Sequence, residues 1–258
     1  MKIISAIIEF FRRLFSKHEE ISTTLPVTAN TMETGETVII ETADTEEQFI
    51  TETYKKMIIL LDNGHAKSTP GKRSPMLPNG VQFFEYEFNR DIVKRIAKKL
   101  AILGIEFKIL VPEVDDDIKL SVRAARANAY CDEFGADNCF LISVHANAGA
   151  NGDWQSGRGW SVYTTKGKTK SDEYASIFYE EAEKLLPQYS MTLRSDWSDG
   201  DPDYEENFTI IYMSKCPAIL TENLFMDNKK DVAFLLTDEG RDVIAQIHVN
   251  AIKRICQK

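Results

Sequence analysis

The feature that most constrains the fold is an alternation of short apolar runs and longer amphipathic stretches from Lys56 onward. The apolar runs are typical of strands that are covered on both faces. They are MIILLD (57–62), IEFKILV (105–111), CFLISV (139–144), GWSVYTT (159–165) and PAILTE (217–222). The helical stretches lie near 85–103, ending at a capping Gly104, and near 120–134, 172–186 and from Glu239. This order predicts an α/β three-layer sandwich with a mostly parallel central sheet flanked by helices.

The first 17 residues form a separate amphipathic segment. Its apolar residues recur at helical spacing, and Glu9, Arg12 and Arg13 interrupt them well before the roughly 20 residues that span a bilayer. The segment also lacks the order of a cleavable signal peptide. Two interpretations fit it. The helix lies in a membrane surface, or its apolar face packs against the protein's own domain or a second copy.

Residues 18–55 are rich in Thr and Glu and poor in large apolar residues, which predicts a flexible acidic linker. The globular domain is therefore expected at 56–258. With 31 Lys and Arg against 40 Asp and Glu, the formal charge is -9, which gives no positive field for nucleic acid. The four cysteines lack the spacing of a structural zinc site and are interpreted as buried or free thiols.

Two histidines follow apolar strands at equivalent places. The first strand runs into His65, and the strand CFLISV runs into His145. In a parallel sheet the carboxyl ends of strands form one ligand-binding edge, so these two side chains are expected to lie close together. Two histidines with one carboxylate, and a fourth position open to water, are a donor set that suits catalytic zinc.

Three glutamates are candidates to complete this site. Glu85 and Glu87 both open the first helix, where acidic residues also occur simply because they favour the helix dipole. Glu222 ends the apolar run PAILTE, although glutamate is rarely buried unless it is paired or used. There it is placed to take a proton from a metal-activated water and return it to a leaving amine.

Taken together, these segments resemble the zinc-dependent N-acetylmuramoyl-L-alanine amidases sometimes called amidase type 3, over roughly 56–258. The family's motifs are Asp-x-Gly-His, Glu-x-x-x-Asn at a helix start, Ser-x-His-Ala-Asn, and Glu-x-x-Phe followed by Asn. They match Asp62 to His65, Glu85 to Asn89, Ser143 to Asn147, and Glu222, Phe225 and Asn228. The resemblance also implies a phosphorylase/hydrolase-like sandwich.

The resemblance implies a role for each matched residue. His65, Glu85 and His145 become zinc ligands, with Glu87 as the second choice for the carboxylate. Glu222 becomes the catalytic acid/base. Asn89 and Asn147 would orient ligands or contact substrate, and structural capping is the alternative role for both.

The implied reaction is hydrolysis of the amide between N-acetylmuramic acid and L-alanine in peptidoglycan, by zinc-activated water with Glu222 transferring the proton. Peptidoglycan is then the substrate, and the cell envelope is the place of action. The alternatives are another zinc peptidase or deacylase with the same ligands, and a peptidoglycan-binding module that has lost catalysis.

The sequence departs from the family pattern at two positions. Asn63 stands where many members have Pro, and Leu224 stands where Gly is commoner, within the segment that carries Glu222. Two further segments, 151–159 and 197–204, are expected to be loops at the substrate edge or ordinary solvated loops.

Overall fold

The computed structural model describes residues 56–149 and 152–257, and these contain six strands and six α-helices. The strands are β1 (Ile58–Asn63), β2 (Phe107–Ile109), β3 (Cys139–Asn147), β4 (Ser161–Thr164), β5 (Tyr204–Glu205) and β6 (Ala218–Phe225). The helices are α1 (Glu85–Leu103), α2 (Leu120–Phe134), α3 (Lys170–Leu185), α4 (Thr209–Tyr212), α5 (Lys229–Leu235) and α6 (Asp238–Gln257). The predicted amphipathic helix 1–17 and linker 18–55 lie outside the described residues.

The six strands form one sheet in the order β2-β1-β3-β6-β4-β5. β1, β2, β3 and β6 are parallel, whereas β4 runs antiparallel to β6 and β5 runs parallel to β4. The central strands β1, β3 and β6 therefore deliver their carboxyl ends to one edge of the sheet. This arrangement confirms the prediction of a mostly parallel sheet.

Helices cover both faces of this sheet. Successive side chains of a strand point to opposite faces, so each buried strand contributes apolar residues to two cores. Ile59 and Leu61 of β1 pack into the core formed with α1, α3 and α6. Ile58 and Leu60 pack into a second core, formed with α2 and α4. The predicted three-layer sandwich is therefore confirmed. In the two described stretches, no helix is both long enough and apolar enough to cross a membrane.

The long helices were the most predictable elements. The helices expected near 85–103 and 120–134 have those bounds in the structure. β2 is shorter than the run 105–111 from which it was predicted, because only Phe107–Ile109 pairs with β1. β5, α4 and α5 were not predicted, since segments of two, four and seven residues are too short for periodicity to show.

Gly104 ends α1 in the left-handed conformation that was predicted for a capping glycine. Its φ is 70°, and its N–H points to the carbonyl of Ala101 while the N–H of Ile105 donates to Leu100 at 3.0 Å. A Cβ at Gly104 would have no neighbour within 4 Å, so a substitution here would change only the backbone energy.

We therefore expect Gly104→Ala to lower the free energy of unfolding by about 1 kcal/mol, because a Cβ is disfavoured at positive φ. Gly104→Asn should cost less, since asparagine tolerates this conformation better. Urea denaturation of the two variants measures the difference. Equal stability of wild type and Gly104→Ala would contradict the capping role.

Candidate metal centre

Three side chains converge at the carboxyl edge of the sheet. His65 follows β1, His145 lies near the end of β3, and Glu85 is the first residue of α1. One ligand atom from each lies within 4.8 Å of the others. Glu85 Oε1 is 3.1 Å from His145 Nδ1 and 3.5 Å from His65 Nε2, and the two imidazole rings meet edge to face with centroids 4.9 Å apart.

Glu85 is the buried member of this group, with a side chain only 1% exposed. Its Oε1 accepts a hydrogen bond from the backbone N–H of Ala146 at 3.2 Å, whereas its Oε2 is buried without any hydrogen-bond partner. Burial by itself would raise the pKa of Glu85, but the hydrogen bond from His145 holds it below its ordinary value. The result is a carboxylate with one oxygen left for a cation.

The ring of His145 packs directly against the backbone of Gly64. A Cβ on Gly64 would be 2.1 Å from the nearest atom of the His145 ring, so the ring can occupy this position only beside a residue without a side chain. Asn89, one turn into α1, donates from Nδ2 to the carbonyl of Gly64 at 3.0 Å. Helix α1 is thereby tied to the segment that supports the ring. The Gly in the motif Asp-x-Gly-His was the signal for this contact.

His65 adopts a left-handed backbone conformation, with φ of 61°. Arg90 of α1 donates to the His65 carbonyl at 2.8 Å, which offsets part of the cost of this conformation. Burial lowers the pKa of His65 to about 4. Its imidazole is therefore neutral near pH 7, and a neutral imidazole is the form that ligates metals.

A buried ion pair fixes the strand ends beneath the centre. Arg123 of α2 donates from Nη1 to Asp62 Oδ1 at 3.0 Å, and both side chains are 1% exposed. Ser143 of β3 donates to the other oxygen of Asp62 at 2.6 Å, and Arg123 also donates to the carbonyl of Asn63 at 2.9 Å. The sequence alone does not indicate this role of Arg123. Its position next to Ala124 on the buried face of α2 was the available signal.

Glu222 lies beside the three converging residues. It is the register partner of His145 across β3 and β6, and its Oε2 is buried without a hydrogen-bond partner. Burial raises the pKa of its carboxyl to about 7, and the nearby charge of Glu85 acts in the same direction. Glu222 is therefore able to exchange a proton near neutral pH, which a general acid/base requires.

The segment that follows Glu222 carries Leu224 at a position whose backbone conformation favours glycine. The pairing of β3 and β6 shifts register between His145 and Asn147, and Leu224 takes φ of 68°, a conformation that favours glycine. Leu224 is fully buried in the core with α1, α3 and α6, and that burial offsets a strain of about 1–2 kcal/mol.

Asn223 links this bulge to the metal centre. Its Nδ2 donates to the carbonyl of His145 at 2.9 Å, and its Oδ1 accepts from the indole N–H of Trp160 at 2.8 Å. The sequence alone does not identify Asn223, since its role depends on a contact with a different strand. The other departure, Asn63, is also accommodated, because its Nδ2 donates to the carbonyl of Val111 at 3.1 Å.

The remaining candidates have other surroundings. Glu87 is exposed and accepts from the Tyr86 hydroxyl at 2.8 Å, so the structure brings Glu85 rather than Glu87 to the histidines.

The Asn147 side chain accepts from the N–H of Ala148 at 2.8 Å, which is a local turn contact. Asn228 caps α5, where its Oδ1 accepts two backbone hydrogen bonds. His248 is buried, 3.0 Å from the hydroxyl of Thr221.

The two predicted loops are irregular where the structure describes them, in 152–159 and 197–203. The first is tied to the start of α5: the N–H of Gln155 donates to the carbonyl of Asp227 at 2.8 Å, and Gly159 donates to Asp231 at 2.9 Å. The second leads directly into β5. Their contact with substrate stays a prediction.

The donor set of the centre fits a divalent cation. Two imidazoles and one carboxylate converge, Glu85 Oε2 lacks a partner, and the histidine side chains remain 20% and 14% exposed, which leaves one side open. Nitrogen and oxygen donors in this combination are those of catalytic zinc sites that keep a position for water. The arrangement is thus suited to metal-assisted hydrolysis, and the titratable carboxyl of Glu222 lies beside it.

Comparison with known proteins finds the same family that the sequence motifs resemble. A family model described as N-acetylmuramoyl-L-alanine amidase matches residues 59–254. An endolysin of Bacillus phage SPP1 is 28% identical over 205 residues, which cover 77% of this chain and 65% of that protein. The N-acetylmuramoyl-L-alanine amidase CwlM of Bacillus licheniformis is 27% identical over 198 residues, covering 76% and 67%. The chain thus spans about two thirds of the length of these relatives.

A solved structure shows the same fold. The N-acetylmuramoyl-L-alanine amidase from Clostridium difficile 630 superimposes with a TM-score of 0.60 at 24% sequence identity. The superposition covers 77% of this chain and 95% of that one.

Because a Cβ at residue 64 would displace the His145 ring, we expect Gly64→Ala to weaken binding of a divalent cation by roughly 10- to 100-fold. Competition with a chromophoric chelator measures the affinity. Gly157→Ala is the matched control, since a Cβ there would be 3.5 Å from Phe225, an ordinary contact. Unchanged metal affinity in Gly64→Ala would show that the close approach does not support the centre.

Proposed function

This chain belongs to the N-acetylmuramoyl-L-alanine amidase family, and we propose that it is a zinc-dependent member that hydrolyses peptidoglycan. The bond cut is the amide between the lactyl group of N-acetylmuramic acid and L-alanine. One observation carries the proposal: His65, Glu85 and His145 converge with a buried, unpartnered carboxylate oxygen, directly beside Glu222. Action on this polymer would take place in the cell envelope.

His65, Glu85 and His145 would hold the zinc ion. When bound, zinc supplies a Lewis acid that polarises the scissile carbonyl and lowers the pKa of a water molecule. The chain supplies the orientation. Glu85 is fixed by the N–H of Ala146, and the backbone of His65 is fixed by Arg90. Such outer hydrogen bonds keep ligands in place when metal and substrate exchange.

Glu222 would move the proton in this reaction. It accepts a proton from the attacking water and donates it to the nitrogen of L-alanine, because an amine leaves poorly unless it is protonated. Asn223, the next residue, donates to the carbonyl of His145, so the segment that carries the acid/base is bonded directly to the backbone of a proposed metal ligand. The products are a free lactyl carboxylate on the glycan and a peptide that begins with L-alanine.

Glu222→Gln should retain zinc and fold but lower kcat by at least about a hundredfold, because the amide cannot accept the proton. His145→Ala should instead lose zinc affinity. Peptide release from purified sacculi, together with elemental analysis of each variant, separates the two effects.

Glu87→Gln is the matched control, since Glu87 opens the same helix outside the centre and should keep both metal and activity. Full activity of Glu222→Gln would exclude this mechanism. Undiminished zinc in His145→Ala would remove His145 from the ligand set.

A further inference from the structure

Arg194 lies next to the metal centre, in the segment between α3 and β5. Its backbone N–H donates to the carbonyl of Trp160, the residue immediately before β4, at 2.8 Å. The next residue along, Ser161, is the register partner of Glu222 on β6. The charge of Arg194 acts on Glu222 and lowers the pKa of that carboxyl, against the larger effect of burial. Arg194 is therefore close to the proposed proton-transfer group.

Two aromatic rings position the Arg194 side chain. Its guanidinium carbon is 5.4 Å from the ring centre of Tyr204 and 5.1 Å from that of Phe225, which ends β6. Tyr204 in turn stacks on Tyr163 with ring centres 5.3 Å apart. Cation–π contacts of this kind hold a guanidinium in place while its N–H donors stay available for hydrogen bonds.

Those donors have no acceptor in the parts of the chain that the structure describes. Arg90 and Arg241 also stack on rings, but Arg90 donates to the carbonyl of His65, and Arg241 pairs with Asp91 at 3.0 Å. Arg194 is half-buried and forms no such bond. A guanidinium does not lose its proton, so a partly buried one without a partner is suited to binding an anion.

Resting on the proposed function, we infer that Arg194 binds a carboxylate of the stem peptide. The residue after L-alanine is D-glutamate joined through its side chain, so its α-carboxyl is either free or amidated. One residue extends a chain by at most about 3.5 Å, so this group stays close to the scissile bond. The planar guanidinium would bind the free carboxylate through two hydrogen bonds, and a carboxamide less well.

The test uses two soluble substrates, N-acetylmuramoyl-L-alanyl-γ-D-glutamyl-L-lysine and the corresponding D-isoglutamine compound, whose γ-carboxyl is in an amide bond, so that they differ only in the α-group. Wild type should show a kcat/KM roughly tenfold higher for the carboxylate. Arg194→Met, which retains an apolar stem against the two rings, should lose that preference. Its kcat/KM should fall for the carboxylate substrate and stay the same for the carboxamide. Arg194→Lys should retain part of the preference, because the charge remains while the planar fork is lost.

Arg241→Met is the control, because it removes a stacked arginine that is already paired, on α6. Its substrate ratio should equal that of wild type. An unchanged ratio in Arg194→Met, or an equal loss on both substrates, would overturn the inference and leave Arg194 a structural residue.

Peptide release from sacculi is measured on the same preparations. If the wild-type protein releases no peptides from sacculi, that result contradicts the proposed function rather than the role of Arg194. If wild type digests sacculi but neither small substrate, inhibition of that digestion by the two compounds is compared instead. Weaker inhibition by the carboxylate in Arg194→Met alone supports the inference, and equal inhibition of both enzymes overturns it.

Discussion

The buried ion pair between Arg123 and Asp62 is the interaction on which the metal centre depends. It joins α2 to the end of β1, and through Ser143 it joins both to β3. Removing one partner of such a pair commonly costs about 3–5 kcal/mol, because the other charge stays buried. The ion pair therefore reinforces the register in which β1 and β3 pair, from Ile58 opposite Cys139 to Asn63 opposite Val144. The contact between Gly64 and His145 is also supported by backbone pairing, since the N–H of Gly64 donates to the carbonyl of Val144 at 3.0 Å.

The electrostatics of the centre follow from this rigid frame. Glu85 and Glu222 are two carboxylates at the same buried edge, and each has an oxygen without a hydrogen-bond donor. Their mutual repulsion is partly relieved by His145, which contacts Glu85. A divalent cation held by the three converging residues would relieve it further, so metal binding and folding of this edge should support each other.

The sequence was sufficient to predict the sandwich, the four long helices and the convergence of His65 with His145, because these depend on periodicity and on strand ends. It left Glu85 and Glu87 as alternatives. The first turn of a helix points successive side chains in different directions, and only the structure shows that Glu85 faces the histidines. Arg123, Asn223 and Arg194 were not found, since each acts through partners more than 30 residues away in the chain, or through an aromatic contact that no local pattern encodes.

The central claim is that this edge of the sheet cuts the amide to L-alanine with the help of zinc. Its most direct test is digestion of purified sacculi by the intact protein, before and after chelation, with identification of the new amino termini on the released peptides. We expect L-alanine termini, a zinc content near one per chain, and loss of release on chelation that zinc restores. Release that persists without metal, or peptides with a different terminus, would contradict it.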